Sequence, residues 1–275
     1  MKAFGVVGPS DAGKTTLVER LAARLGEQGR VGTVKHLDHG PDIDTEGTDT
    51  DRHRAAGASV TYGVADDQWF ATGEDLTLDG ALARLSTEVD YAVVEGGHDA
   101  RLPQVVLGGR DHAGEAIVEA ETGADVDLDA LLDAVAALEP YETLESLVAQ
   151  VKSSPRADRA GAIATFTGRV RAKDAPDDEP TEFLEFEKYE GVAEQRMEAI
   201  SADLEERAGV HDVVLHHRTG VVEAGEDIVF VVVLAGHRGE AFRTVEDGIN
   251  RLKDEVPLFK KEVTVDEEFW VHDRT

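Results

Sequence analysis

The chain has 275 residues, of which 28 are lysine or arginine and 57 are aspartate or glutamate, so its formal net charge is −29. A field of that sign and size repels nucleic acid and suits a salt-rich, halophile-like cytoplasm, where ions screen the repulsion among the acidic side chains. The absence of cysteine excludes disulfides and thiolate metal sites. With no signal-peptide pattern and no apolar run near the roughly 20 residues of a membrane span, we expect a cytoplasmic protein that binds neither membranes nor nucleic acid.

The first half of the chain alternates short apolar runs with helical patterns. Five runs predict strands, at 3–7, 31–34, 91–94, 104–107 and 115–118. The spacing of Leu17, Leu21 and Leu25 predicts a helix after the first run, and a second helical pattern covers 127–138. Such alternation is typical of a mostly parallel sheet with helices on both faces.

Residues 8–15 read Gly-Pro-Ser-Asp-Ala-Gly-Lys-Thr and match the phosphate-loop pattern G-x-x-x-x-G-K-[ST]. In such loops backbone N–H groups surround a polyphosphate, the lysine contacts its β and γ oxygens, and the Thr15 hydroxyl can ligate Mg²⁺. The base is not identified by this motif, since no Asn-Lys-x-Asp segment is present. We expect the nucleotide site to comprise Gly8, Asp11, Ala12, Gly13, Lys14, Thr15 and Thr16.

Two further features follow predicted strands in this half. Glu95 ends a Val-Val run, where it could approach Mg²⁺ beside Thr15 or be an ordinary strand-end carboxylate. A second segment could hold a metal ion or form a substrate-facing loop. It comprises Lys35-His36-Leu37-Asp38-His39 and the later Asp42, Asp44 and Asp49.

Residues 1–138 contain five features in a fixed order, namely the phosphate loop, Val34-Lys35-His36-x-x-His39, the acidic 42–49 segment, Arg54-Ala55-Ala56-Gly57-Ala58 and Val94-Glu95-Gly96. With this order of motifs, the segment resembles molybdopterin-guanine dinucleotide biosynthesis protein B. The resemblance implies a GTP-binding adaptor of molybdenum cofactor maturation that forms a dimer and hydrolyses GTP slowly at most. It also implies Mg²⁺ as a cofactor, and from their positions we expect Thr15 and Glu95 at the metal site.

A domain boundary is predicted at Glu139-Pro140, because a proline directly follows a helical pattern. The predicted domains are therefore 1–139 and 140–275. The second contains helical patterns at 141–152, 192–207 and 240–255, and strand candidates at 161–166, 183–188, 213–215 and 228–234. We predict an α/β P-loop NTPase-like domain with a mostly parallel sheet, followed by an α+β domain.

Lysine is rare in this chain, yet three of its nine lysines, Lys253, Lys260 and Lys261, fall within nine residues. Two ammonium groups held together favour the neutral form of one of them, which could then act as a base or nucleophile. They could equally bind an anionic substrate or stabilise the C-terminal end of a helix.

Other cations also follow predicted strands. Arg169 and Arg171 come after the run at 161–166, and His237 and Arg238 come after the run at 228–234. If they converge with the lysines, they form a pocket for a phosphorylated substrate, because guanidinium groups bind phosphate in a bidentate manner. Solvated surface charge is the alternative.

Residues 141–275 contain five motif segments in order, namely Ala164-Thr165-Phe166-Thr167-Gly168-Arg169-Val170-Arg171, Leu184-Glu185-Phe186-Glu187-x-Tyr189, His217-Arg218-x-Gly220, Gly236-His237-Arg238-x-x-Ala241-Phe242 and Leu252-Lys253-x-x-x-Pro257-Leu258-Phe259-Lys260-Lys261-Glu262. In these segments the second half resembles the catalytic, larger subunit of molybdopterin synthase.

This second resemblance implies sulfur transfer from the C-terminal thiocarboxylate of a ubiquitin-like sulfur carrier to precursor Z (cyclic pyranopterin monophosphate), with no further cofactor. It implies Lys253 and Lys260 as the catalytic pair. The implied substrate-binding residues are Arg169, Val170, Arg171, His237, Arg238, Lys261 and Glu262.

The whole chain is therefore predicted to join two steps of molybdenum cofactor biosynthesis. Its predicted partners are the sulfur carrier, cofactor maturation proteins and a second copy of itself. Two alternatives remain, a GTP-binding adaptor whose second half only docks partners, and a nucleotide-dependent kinase acting on a small molecule.

Overall fold

The computed structural model describes residues 1–37, 47–173, 175, 179–189 and 191–264, and the backbone of 268–271. The chain divides into two compact units, Met1–Tyr141 and Glu142–Thr275. At the end of the first unit, Tyr141 donates its backbone N–H to the carbonyl of Met1 at 2.7 Å. None of the helices in the described part of the chain combines the length and apolarity of a membrane span.

The first unit is an α/β fold. Its elements are β1 Lys2–Val7, α1 Lys14–Leu25, β2 Val31–Lys35, α2 Asp49–Ala55, β3 Val60–Val64, β4 Trp69–Gly73, α3 Leu78–Leu85, β5 Tyr91–Glu95, β6 Gln104–Leu107, β7 Ala116–Ala120 and α4 Leu128–Ala137. Five strands form one sheet in the order β2-β5-β1-β6-β7, and every pairing in it is parallel. The predicted parallel sheet is confirmed.

The central strands of this sheet are buried on both faces. Phe4 and Val6 of β1, Val93 of β5 and Val105 of β6 are fully buried. Strands covered by helices on both sides need apolar residues at every position, which explains their unbroken apolar runs. Helix α1 covers one face with the leucines that the sequence spacing indicates.

A two-stranded hairpin of β3 and β4 was not predicted from the sequence. The strands pair from Val60 opposite Gly73 to Val64 opposite Trp69. Their apolar side chains remain open to solvent, with Val64 80% and Trp69 64% exposed. The first strand alternates apolar Val60, Tyr62 and Val64 with Thr61 and Gly63, so a strand period was present in the sequence and was missed.

The second unit is an α+β fold with two antiparallel sheets. Its elements are α5 Leu144–Lys152, a 3₁₀ turn Ala157–Arg159, β8 Ala162–Arg169, β9 Thr181–Lys188, α6 Val192–Glu205, β10 Val210–His217, β11 Gly220–Glu223, β12 Asp227–Ala235, α7 Arg238–Glu255, β13 Leu258–Thr264 and β14 Glu268–Val271. The sheets have the orders β10-β12-β8 and β11-β9-β13-β14. The predicted α+β class is confirmed.

Strand β12 is the centre of this unit. Its odd-numbered residues from Val229 to Ala235 pack with Ile200 and Leu204 of α6 and with α7. Its even-numbered residues from Phe230 to Leu234 pack with α5. Since side chains alternate along a strand, the helices cover opposite faces of the three-stranded sheet. The other sheet has a smaller core of Val170, Leu184, Phe186 and Val222.

Candidate functional site

The phosphate-loop segment connects β1 to α1 through a backbone that needs glycine. Gly13 has a φ of 81°, in the left-handed region, and α1 begins at the next residue, Lys14. At Gly8, a Cβ atom would lie 2.8 Å from the Cβ of Leu107 in the neighbouring strand β6. Only glycine fits so close an approach, so β6 holds the start of the loop against the sheet.

Lys14 stabilises this loop with two hydrogen bonds. Its Nζ donates to the carbonyl oxygens of Gly8 at 2.9 Å and Pro9 at 2.6 Å. Ala12 is buried behind the loop. The remaining predicted residues surround a cavity of about 300 Å³, which is lined by Asp11, Gly13, Lys14, Thr15, Thr16 and Glu95. The helix N-terminus at this cavity is an environment that favours anions.

Glu95 closes the cavity from the end of β5. Only 9% of the residue is exposed. Its Oε1 accepts a hydrogen bond from Thr15 Oγ1 at 2.8 Å and lies 3.0 Å from Lys35 Nζ. A hydroxyl and a carboxylate are oxygen ligands of the kind that Mg²⁺ prefers, so these residues fit a metal bound beside polyphosphate.

The second metal hypothesis has no support within the described residues. His39, Asp42 and Asp44 lie outside them, in the 38–46 segment. Across the described ranges, no group of three histidine, aspartate or glutamate side chains is placed to hold a metal.

In the second unit, Arg169 is the last residue of β8, and Val170 and Arg171 follow it. The Nε of Arg169 lies 3.0 Å from Asp227 Oδ1. Arg171 is exposed. Val170 is instead a core residue, only 2% exposed, and its backbone bonds to Glu226 and Gly225. The structure therefore uses the side chain of Val170 for packing rather than for contact with a ligand.

Strand β13 carries the adjacent Lys260, Lys261 and Glu262. Lys260 lies opposite Phe186 of β9, so it shares the inner face of the sheet with that ring. Lys260 Nζ lies 3.8 Å from Glu262 Oε2, and Glu262 Oε1 accepts a hydrogen bond from Thr181 Oγ1 at 2.5 Å. Lys261 points to the other face, 3.7 Å from Glu185 Oε2.

The predicted cations do not all converge within one chain. In the pairing of β8 with β12, Arg169 lies opposite Asp227 and Ala162 lies opposite Ala235, so Arg169 and the exposed His237 lie at opposite ends of the sheet. Helix α7 starts at Arg238 and packs back across both strands. At a rise of 1.5 Å per residue, it places Lys253 about 22 Å from Arg238 along the axis.

The structure thus forms two groups of cations. Arg169, Arg171 and Lys253 belong to one end of the three-stranded sheet, where β13 also begins after α7. His237 and Arg238 belong to the other end, and His237 Nδ1 lies 4.0 Å from Glu240 Oε2. A small ligand can contact only one group in a single chain.

Sequence reasoning missed two buried polar groups near Phe186. The ring of His217 meets Phe186 edge to face at 4.8 Å, and its Nδ1 lies 2.7 Å from the carbonyl oxygen of Arg218. Burial lowers the pKa of His217 to about 4. Lys188, whose side chain is 11% exposed, forms an ion pair with Glu194. Alternation along β9 places Lys188 on the same face as Leu184 and Phe186, but no sequence signal shows that His217, at the end of β10, packs against that face.

Comparisons with known proteins divide the chain in a similar way. A family model described as molybdopterin guanine dinucleotide synthesis protein B matches residues 3–127, and one described as MoaE protein matches residues 139–255. A probable molybdopterin synthase of Haloferax volcanii is 57% identical over 275 residues, 100% of both chains.

Two further relatives each cover part of the chain. The molybdopterin synthase catalytic subunit of Bacillus subtilis is 39% identical over 115 residues, which are 42% of this chain and 72% of the relative. The crystal structure of Bacillus subtilis MobB is 28% identical and covers 51% of this chain and 100% of its own, with a TM-score of 0.39.

The buried His217 predicts an acid-dependent loss of stability. Its pKa is 6.5 in an ordinary environment and about 4 in the folded chain, so between these values only the unfolded chain binds the proton. The stabilisation that comes from keeping His217 neutral is complete above pH 6.5 and is lost as the pH falls to about 4. The free energy of unfolding changes by about 3 kcal/mol over this range. His217→Asn keeps a donor for the Arg218 carbonyl but cannot titrate.

Urea unfolding at several pH values between 4 and 7 measures this effect. We expect the free energy of unfolding to depend less on pH in His217→Asn than in the wild type. The exposed His112→Asn serves as the control and should keep the wild-type slope. Equal slopes in all three proteins would show that His217 is not held neutral.

Proposed function

The chain belongs to the molybdopterin synthase family, with a molybdopterin guanine dinucleotide synthesis protein B domain in its first half, and we propose that it joins sulfur transfer to GTP binding. It takes part in molybdenum cofactor biosynthesis. In the proposal, the second unit converts precursor Z to molybdopterin, and the first binds GTP with Mg²⁺ as an adaptor for forming the guanine dinucleotide cofactor. We place both activities in the cytoplasm.

The observation that carries sulfur transfer is the group of cations at one end of the three-stranded sheet. In a chain of net charge −29, local positive charge is the feature that would retain a phosphorylated pterin. Arg169 and Arg171 would bind its phosphate. Lys260, partly buried beside Phe186, is 30% exposed and lies where desolvation of a bound substrate would strengthen its effect.

The proposed step forms a bond between the thiocarboxylate sulfur of the carrier and a carbon of precursor Z, while a carbon–oxygen bond at that carbon breaks. The oxygen leaves as water or stays on the opened phosphate. Water then cleaves the bond between that sulfur and the carrier's acyl carbon, so the carrier leaves as a carboxylate. Two rounds give the dithiolene. Lys253 would engage the thiocarboxylate, and Lys260 would assist proton transfer. The sulfur arrives on the partner, which agrees with a chain that has no cysteine.

The names of the relatives support a sulfur carrier as partner. The Bacillus subtilis protein is named a catalytic subunit, which entails at least one other subunit in that enzyme. We propose that the ubiquitin-like carrier fills this place here. The exposed Lys253 on α7 offers its ammonium group to the carrier's anionic terminus.

We further propose that two copies of the chain complete one site. Within a single chain, His237 and Arg238 lie at the far end of α7 from Lys253. A symmetric pair of antiparallel α7 helices would bring these two residues of one copy beside the lysines of the other. A homodimer would in this way restore the convergence of cations that a single chain does not provide.

For the first unit, the proposal rests on the cavity between the loop and Glu95. The N-terminus of α1 and Lys14 would bind the phosphates. Thr15 and Glu95 would hold Mg²⁺, which neutralises phosphate charge when bound. The choice of GTP follows the protein B family alone.

Replacing either lysine of the proposed catalytic pair tests sulfur transfer. With precursor Z and a thiocarboxylated carrier, we expect Lys253→Ala and Lys260→Ala to lower molybdopterin formation at least about 100-fold, the usual effect of losing proton transfer or anchoring. The exposed Lys152→Ala, which changes the net charge equally, should retain full activity. An active Lys253→Ala protein would favour the adaptor that only docks partners.

Coexpression of two inactive variants tests the shared site. If His237 and Arg238 act with the lysines of another copy, His237→Ala/Arg238→Ala mixed with Lys253→Ala gives hybrid dimers with one intact site. Random mixing should then restore about a quarter of wild-type activity. If all these residues acted within one chain, the mixture would stay inactive.

Calorimetric titration with GTP, GDP and ATP in the presence of Mg²⁺ tests the first unit. We expect GTP to bind and Lys14→Ala to weaken it at least about 100-fold, because the lysine contacts both the loop carbonyls and the phosphates. Lys152→Ala is again the control. Equal affinity for ATP would remove guanine specificity from the proposal, and no binding would remove the nucleotide site.

A further inference from the structure

We infer that Lys35 is a positioning residue of the nucleotide site, which neutralises Glu95 when no metal is bound and so makes nucleotide binding less dependent on Mg²⁺. The inference rests on the proposed nucleotide-binding function of the first unit. It concerns a contact at the cavity that the phosphate-loop motif does not include, the ion pair between Lys35 and Glu95.

The parallel sheet places Lys35 next to Glu95. Lys35 and Glu95 are the last residues of the neighbouring strands β2 and β5 and lie directly opposite each other. The ladder continues past them, since His36 donates its backbone N–H to the carbonyl of Glu95 at 2.9 Å. Both side chains therefore leave the sheet at the same edge, next to the phosphate loop.

Lys35 and Thr15 share a single oxygen of Glu95. Thr15 Oγ1 donates to Oε1 at 2.8 Å, and Lys35 Nζ lies 3.0 Å from the same atom. Because Glu95 faces the hydroxyl that would ligate Mg²⁺, an uncompensated carboxylate here would repel a polyphosphate in the cavity. Lys14 does not compensate this charge in the structure, since it donates to Gly8 and Pro9.

Lys35 and Glu95 differ in burial, and this difference allows Glu95 to exchange Lys35 for another cation. The Glu95 side chain is 11% exposed, whereas that of Lys35 is 57% exposed. Glu95 is thus held in place, and Lys35 can move into solvent on its flexible stem. An ion pair with one exposed partner is weak, so Glu95 can exchange Lys35 for a divalent cation. By linkage, Lys35 must then lower the affinity for that cation.

The experiment is a calorimetric titration of the full chain with GTP, in EDTA and at a series of Mg²⁺ concentrations. The variant Lys35→Met keeps the apolar stem and removes the charge. We expect its GTP affinity in EDTA to fall about two- to fivefold, the range for a partly exposed pair, while the affinity gained from Mg²⁺ rises by a similar factor. Lys35→Arg should restore wild-type behaviour.

Two further variants separate this role from a general effect of charge. Lys152→Met removes an exposed lysine elsewhere and should leave both affinities unchanged. In a Glu95→Gln background, Lys35→Met should have little additional effect, because the carboxylate that it neutralises is absent. Additive effects of the two substitutions would overturn the inference.

The outcomes also separate this inference from the function on which it rests. A wild-type chain that binds no GTP at any Mg²⁺ concentration overturns the nucleotide site and this inference together. A wild-type chain that binds GTP, beside a Lys35→Met variant with the same ratio of affinities with and without Mg²⁺, overturns only the role of Lys35.

Discussion

Each unit is organised around a strand that helices cover on both faces, and this burial determines where polar chemistry can occur. In the first unit, Phe4 and Val6 of β1 are fully buried. In the second, β12 is apolar from Val229 to Ala235 and packs against helices on both sides. Charged groups cannot be accommodated along such strands without a large desolvation cost. They are therefore found where the strands end.

The direction of the strands then decides whether those ends meet. In a parallel sheet all carboxyl ends lie at one edge. The loop after β1, Lys35 at the end of β2 and Glu95 at the end of β5 therefore come together. In an antiparallel sheet successive ends alternate. Arg169 at the end of β8 and His237 beyond the end of β12 are consequently far apart. This difference is why the first unit forms its cavity alone, whereas the second is proposed to need a second copy.

Acidic partners accompany many of the cations that the proposed chemistry uses. Arg169 pairs with Asp227, Lys35 with Glu95 and Lys261 with Glu185. In a chain of such negative charge, these pairs hold the cations in place and also compete with an anionic ligand for them. Ligand binding at these sites is therefore an exchange of partners, and its free energy is the difference between two ion pairs rather than the full value of one.

Local sequence determined a large part of this protein. The phosphate loop was predictable because its function depends on consecutive residues, with Gly13 in the left-handed region and Lys14 beginning the helix. The three central strands of the first sheet and the central strand β12 were predictable because burial on both faces leaves an unbroken apolar run. The two family resemblances rest on ordered motifs of the same kind.

Tertiary structure decided what depends on pairing between distant residues. The contact of Lys35 with Glu95 requires the parallel register of β2 and β5, and the burial of Val170 and His217 requires the packing around Phe186 of the four-stranded sheet. The hairpin of β3 and β4 exposes its large apolar side chains, so the alternation of its first strand does not mark a buried apolar face. The separation of Arg238 from Lys253 follows from the length of α7, which crosses the sheet before the chain returns. Composition and spacing indicate the conformation and burial of the segment to which a residue belongs. These features instead arise from segments that meet only when the chain folds.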